Sequence, residues 1–279
     1  MAYLRILRAT FAIASFVSVS ANCGHDTSIY PRDHAQVHQS AFGYSGTRGP
    51  VDWAGLSPAN CACSEGKQQS PIVLTANTTI AADAPNVTIS SVDRATLVNL
   101  GTTLEVVMNG TLIFNKTDYQ LKQFHLHTPS EHRIEEEYFP MEMHMVHQSN
   151  IDGSLLVAAV LFQLSENGTT TQLITSMALN LANVTDPGTN TTTGPLDFTS
   201  VVHAVMSGPL YQYSGSLTTP PCTQGVTFLV LANPLSLDVQ TYNNLKKILK
   251  FNARYTQNTL GENNLLAVAY TNSQTCHRA

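Results

Sequence analysis

The chain is poor in charge. Of its 279 residues only 12% are Asp, Glu, Lys or Arg, against about 25% in an ordinary soluble domain. Hydrophobic content is 43%, so the shortage does not mark disorder, which pairs low hydrophobicity with high net charge. Basic residues are the scarcer kind, 14 against 19 acidic. Without a basic patch there is no footprint for nucleic acid. Long apolar runs are missing after the first twenty residues, and a membrane-spanning helix needs about 20 apolar residues in a row. The polar end Thr271–Ala279 has none of the features of a lipid-anchor signal. No C-x-x-C pair occurs among Cys23, Cys61, Cys63, Cys222 and Cys276, so nothing points to a thiolate zinc site. There is no internal repeat.

What is present begins with a leader. Arg5 and Arg8 precede an apolar run from Ala9 to about Val19 that ends in Val19-Ser20-Ala21. A basic head, a short apolar stretch and a small residue at the cut describe a secretory signal peptide. The run is too short for a stable membrane anchor. Residues 1–21 are therefore expected to be removed, 22–40 to form a polar tail with three scattered histidines, 41–272 to form one domain, and 273–279 a C-terminal tail. The expected location is extracellular, free or associated with a cell wall. In a secreted chain, Asn-x-Thr sequons become candidates for glycosylation. They begin at Asn77, Asn86, Asn109, Asn115, Asn167, Asn183 and Asn190. An oxidising compartment also favours disulfides, and five cysteines leave at least one unpaired or bound elsewhere.

From Phe42 onward short β-rich runs alternate with turn signals: 87–92, 95–100, 103–108, 121–127, 141–147, 155–162 and 226–231. Closely spaced strands of this kind predict a mainly β domain with few short helices, built on one large, twisted, mostly antiparallel sheet of about ten strands. Asp238 is placed to cap a helix whose apolar residues Val239, Tyr242, Leu245 and Leu249 recur at helical spacing. A second helix is expected near Thr171–Leu181.

Five of the ten histidines fall between residues 125 and 147. His125 and His127 are two apart in a strand, so both imidazoles leave one face. Glu142 and His144 do the same in the next run. If the two runs are antiparallel neighbours, three imidazoles surround one point with Glu142 beside them. Three protein nitrogens and one open position is the arrangement of a catalytic zinc. The plainer alternatives are packed or solvated histidines, with His132 and His147 the most ordinary of the five, and a solvated turn for Glu135–Glu137. His125-x-His127-x-x-x-Glu131 is also similar to the first metal motif of the cupins. Positions 119 and 138, however, are tyrosines where that motif has glycine, and no second cupin motif follows.

The segments Lys67–Ile72, Ser130-Glu131-His132 and Tyr213–Cys222, with Gly43-Tyr44-Ser45, Pro50–Trp53 and Asn252–Gln257, occur in this order over residues 41 to about 260. Together they resemble the α-class carbonic anhydrases, and secreted fungal or microbial members in particular. The resemblance implies a zinc metalloenzyme that hydrates CO2 reversibly to bicarbonate and a proton, with zinc hydroxide as nucleophile and ester hydrolysis as a side activity. It implies a monomer or a homodimer. His125, His127 and His144 would be the Zn2+ ligands. Gln123, Glu142 and the backbone carbonyl of Asn252 would accept hydrogen bonds from them, fixing tautomer and ring orientation. Such a metal lowers the pKa of its bound water to about 7, a value general to zinc sites of this family. Thr218 would donate to Glu131 and so aim the nucleophile. Thr219 would meet bicarbonate, and Val146 and Leu217 would form the CO2 wall, with Phe228 where the family has Trp and the next wall residue at either Val157 or Ala158.

The same resemblance places Thr102 where fast members carry a proton-ferrying histidine. Threonine does not titrate near neutrality, so a lower maximal rate that rises with buffer concentration is expected. It also pairs Cys63 with Cys222, with Cys61 the competing partner and Cys23–Cys61 a further possibility. The alternative from another class is a non-catalytic surface or matrix binding protein on the same fold, whose relatives lack one or more of the histidines.

Overall fold

The computed structural model describes Val37 and residues 39–276. The leader, most of the tail with its histidines, Cys23 and residues 277–279 lie outside the described residues. Thirteen strands form: β1 (Val73–Leu74), β2 (Asn86–Thr88), β3 (Thr96–Asn99), β4 (Leu104–Val107), β5 (Thr111–Phe114), β6 (Thr117–His127), β7 (Arg133–Ile134), β8 (Glu137–Tyr138), β9 (Met141–Ser149), β10 (Leu155–Leu164), β11 (Asn190–Thr192), β12 (Leu210–Ser216) and β13 (Gln224–Leu237). Six helices accompany them: α1 (Trp53–Leu56), α2 (Ala62–Glu65), α3 (Gln172–Met177), α4 (Thr199–Ser207), α5 (Val239–Leu249) and α6 (Leu265–Cys276). Ten strands make one sheet in the order β11-β3-β4-β6-β9-β10-β13-β12, with β2 joined through β5 to the first half of β6. Within this sheet only β10 and β13 pair in parallel, so it is mixed but mostly antiparallel, as expected. The small sheet β1-β7-β8 stands beside it.

The centre of the sheet is covered on both sides, and its two-residue alternation separates two environments. Met141, Met143 and Met145 of β9 join Phe124 and Leu126 of β6, and Leu156, Ala158 and Val160 of β10, in the main apolar core. The residues between them, including Gln123, His125, His127, Glu142, His144 and Val146, are buried on the opposite face. A slip of one residue would move the histidines into the core, so the methionine face fixes the register that presents them. α5 is capped as the sequence indicated, Asp238 accepting from the Thr241 N–H at 2.8 Å. The expected second helix forms as α3, running into a 3-10 stretch over Ala178–Val184.

Candidate metal centre

β6 and β9 lie side by side and antiparallel, with His125 directly opposite His144. One ring nitrogen each from His125, His127 and His144 lies within 4.8 Å of the others. The remaining nitrogens are committed. His125 Nδ1 donates to Gln123 Oε1 at 2.8 Å, His127 Nδ1 to the Asn252 carbonyl at 2.8 Å, and His144 Nε2 to Glu142 Oε1 at 2.7 Å. Each bond fixes a tautomer and turns the other nitrogen inward: Nε2 of the first two, Nδ1 of the third. His127 Nε2 is buried with no hydrogen-bond partner. Burial lowers the pKa of all three imidazoles, and for His125 the neighbouring His127 and His144 add to it. Neutral imidazoles are the form that binds a metal. Three converging neutral nitrogens, one of them an orphaned buried atom, fit a Zn2+ site in donor type and number.

Glu142 holds this arrangement together. Its Oε1 also accepts from His132 Nδ1 at 2.6 Å, and its Oε2 accepts the backbone N–H groups of Glu131 and His132, both at 2.8 Å. Burial works to raise the carboxyl's pKa. The polar imidazoles of His132 and His144 and the hydrogen bonds they donate overcome it and hold Glu142 well below the usual carboxylate range. His132 Nε2 is left to accept from the Tyr213 hydroxyl at 2.6 Å, and the Tyr213 oxygen lies 2.9 Å from Ser70 Oγ. His132, read from the sequence as the more ordinary histidine, is therefore buried in the hydrogen-bond framework. Its spacing gave no sign of this, because the partner on β12 is remote in the chain.

Glu131 faces the site from the other side. Its Oε1 accepts the Arg254 N–H at 2.8 Å, while Oε2 lies 3.5 Å from His127 Nε2 and 3.9 Å from His144 Nδ1. For the protein groups alone, burial pushes this carboxyl up to about 7, against the pull of His144, the Arg254 N–H and the Thr218 hydroxyl. Asn252 contributes more than its carbonyl: its side chain donates to the Thr102 and Leu126 carbonyls, both at 2.9 Å, and accepts from the Thr128 N–H at 2.6 Å. Thr102 is buried, its hydroxyl 2.7 Å from that of Ser40.

On the apolar side, the two positions that the sequence left open face opposite ways. Val157 lies opposite both Val146 and Phe228 in the sheet and shares their apolar cluster, against which Leu217 packs. Ala158 faces the main core. Phe228 stacks on Tyr213, ring centroids 5.0 Å apart and 9° from parallel. Cys63 and Cys222 form a disulfide, so Cys61 is not the partner of Cys222; Cys61 is exposed and pairs with no described cysteine, and the Cys23–Cys61 possibility lies outside the described residues.

Residues 48–273 match the family model of eukaryotic-type carbonic anhydrases. A carbonic anhydrase of Pectobacterium atrosepticum is 31% identical over 245 residues, covering 87% of this chain and 93% of its own length. Among solved structures, a fungal α carbonic anhydrase from Aspergillus oryzae is 47% identical with a TM-score of 0.80, covering 82% of this chain and 98% of that one. The α-carbonic anhydrase of Thermovibrio ammonificans, solved in complex with the inhibitor sulfanilamide, is 31% identical with a TM-score of 0.70, covering 80% and 97%. With these matches spanning the sheet and the histidine cluster together, the chain belongs to the α-class carbonic anhydrases.

Proposed function

We propose that the chain is a secreted zinc enzyme interconverting CO2 and bicarbonate, with His125, His127 and His144 as the protein ligands of Zn2+. The observation that carries this reading is the convergence of three buried neutral imidazoles, each with its second nitrogen tied to a fixed acceptor. Bound there, Zn2+ supplies Lewis acidity that makes hydroxide available from water near neutral pH. The chain's own groups do the rest. The charge of a metal ion held by these histidines would oppose the burial of Glu131 and favour its ionised carboxylate. An ionised Glu131 only accepts, so the Thr218 hydroxyl proton goes to it. The Thr218 lone pairs then accept from the attacking nucleophile and aim it at the carbon of CO2. Val146, Val157, Leu217 and Phe228 give an uncharged substrate a dry wall. Thr219 receives bicarbonate at the mouth.

Secretion is supported by the leader-like residues 1–21 and by a disulfide, which persists in an oxidising compartment. No helix among the described residues is long and apolar enough to cross a membrane. A non-catalytic role on the same fold has no observation in its favour, because the three histidines, Glu131 and Thr218 are all in place. The test is stopped-flow CO2 hydration on zinc-quantified protein beside His144→Ala. We expect one zinc per chain with hydration in the parent, and loss of both in the variant. Full activity in the variant would sink the ligand set. The parent's rate should rise with buffer concentration, since position 102 holds a non-titrating hydroxyl; a buffer-independent rate would mean that another group carries the proton.

A further inference from the structure

Among the described residues the large sheet has three flanks without a further strand, and they are not treated alike. β12 is covered by the chain itself: the Ala81 N–H donates to the Leu210 carbonyl and the Gln212 N–H to the Thr79 carbonyl, both at 2.8 Å. β2 pairs only with β5, and β11 only with β3, among the described residues, and on β11 the Asn180 side chain covers the outward Thr192 carbonyl at 2.6 Å, leaving that edge partly open. An open edge offers unpaired backbone groups to another chain, and proteins commonly blunt it with charge. Here β2 (Asn-Val-Thr), β5 (Thr-Leu-Ile-Phe) and β11 (Asn-Thr-Thr) contain no charged residue, and Ile113 of β5 is 43% exposed.

These strands carry sequons instead. Asn86 opens β2, Asn115 turns β5 into β6 with φ 50°, and Asn190 opens β11. Asn86 is the register partner of Ile113, so both project from the same face and a group on Asn86 stands beside the exposed isoleucine. Asn115 lies two residues beyond Ile113. All seven sequon asparagines are exposed, as an acceptor must be.

We propose that N-linked glycans on Asn86, Asn115 and Asn190 shield the open β2–β5 flank and the partly open edge of β11, doing with sugar what charge does in other proteins. The proposal rests on the secretory reading above. In the transfer, the side-chain amide nitrogen bonds to the anomeric carbon of a lipid-diphosphate-linked oligosaccharide. The C–O bond to the diphosphate breaks, the diphosphate leaves with the electron pair, and the amide loses one proton.

The test is expression of the full chain in a eukaryotic host that glycosylates. Amidase release of the glycans in 18O-water, followed by peptide mass mapping, reads occupancy at each asparagine. Sedimentation velocity on concentrated protein then reads self-association. Modification is expected at Asn86, Asn115 and Asn190. The triple variant Asn86→Gln, Asn115→Gln, Asn190→Gln should show a severalfold larger fraction of oligomer and aggregate than Asn167→Gln, with hydration per bound zinc unchanged. Because glutamine at position 115 must adopt positive φ, a second set (Thr88→Ala, Thr117→Ala, Thr192→Ala) removes the same sequons with the asparagines intact, and endoglycosidase treatment of the folded parent repeats the comparison without mutation. A secreted chain bare at Asn86 and Asn190 would overturn the proposal. So would stripped or variant protein as monodisperse as Asn167→Gln. A chain retained inside the cell would overturn the secretory reading, and this proposal with it.

Discussion

Glu142 takes four hydrogen bonds on two oxygens, two from imidazoles and two from backbone amides. Replacing it with glutamine keeps the size but turns one acceptor into a donor, which then faces N–H groups. Acceptors that orient a metal-binding histidine typically contribute 10- to 100-fold to metal affinity. Glu142→Gln should therefore weaken zinc binding by about that factor, measured by competition with a chelator, and zinc retention equal to the parent's would contradict it. His147 teaches a different lesson. It is buried, donates to the Met145 carbonyl at 2.9 Å, and burial lowers its pKa from 6.5 to about 4. The unfolded chain thus takes up this proton first as pH falls. Stability from neutral His147 is complete above 6.5, declines as pH drops towards 4, and is fully lost below. The shift corresponds to roughly 3 kcal/mol. Thermal unfolding of His147→Leu between pH 7 and 4, compared with the parent, should show a shallower acid limb even though the variant starts less stable. An unchanged slope would place the acid sensitivity elsewhere.

At the scale of the elements, α5 is the helix whose start is written most locally. Its first N–H groups would be unsatisfied, and Asp238 covers one of them. Asp238→Ala should cost about 1 kcal/mol, read as a lower urea midpoint with an unchanged slope. A variant as stable as the parent would mean that solvent caps the helix equally well. This locality explains what the sequence made legible. The alternation in β6 and β9, the unbroken apolar run of β10, the cap of α5 and the His-x-His pair are properties of a few adjacent residues. β5, at only four residues, and β12, whose polar Tyr-Gln-Tyr-Ser-Gly-Ser run shows no apolar alternation, form because of pairing with β6 and β13 and were not anticipated. The site divides in the same way. The histidines on β6 and β9 stood out, whereas the roles of His132, Tyr213 and the Asn252 side chain depend on partners 81 to 150 positions apart in sequence. The choice between Val157 and Ala158 needed only strand parity, but parity is not known until a strand's register against its neighbours is known.

Across the whole molecule, the Cys63–Cys222 bond ties the start of the domain to the loop holding Thr218 and Thr219, across a sequence separation of 159. Closing a loop of that length in the unfolded chain corresponds to about 5 kcal/mol in the chain-entropy model, and losses of about 2–5 kcal/mol are usual when such a bond is removed. The bond also sits within a shared anchorage. The Cys222 N–H donates to the Thr219 carbonyl at 2.8 Å, and the buried Arg254 donates to the carbonyls of Cys63 and Ser70 at 3.2 and 2.7 Å, while its own backbone N–H holds Glu131. Breaking the bond should therefore loosen Thr218 and Glu131 together. The histidines stand on β6 and β9 in the centre of the sheet, and only His127 touches the segment leading to Arg254, through the Asn252 carbonyl. The double variant Cys63→Ser, Cys222→Ser should thus unfold at lower denaturant and lose hydration rate per bound zinc, while its zinc affinity stays near the parent's. The split between the last two readings decides the matter. If zinc affinity fell in step with rate, the disulfide would be supporting the sheet as a whole; if neither changed, the loop would be held by Arg254 and its backbone bonds alone.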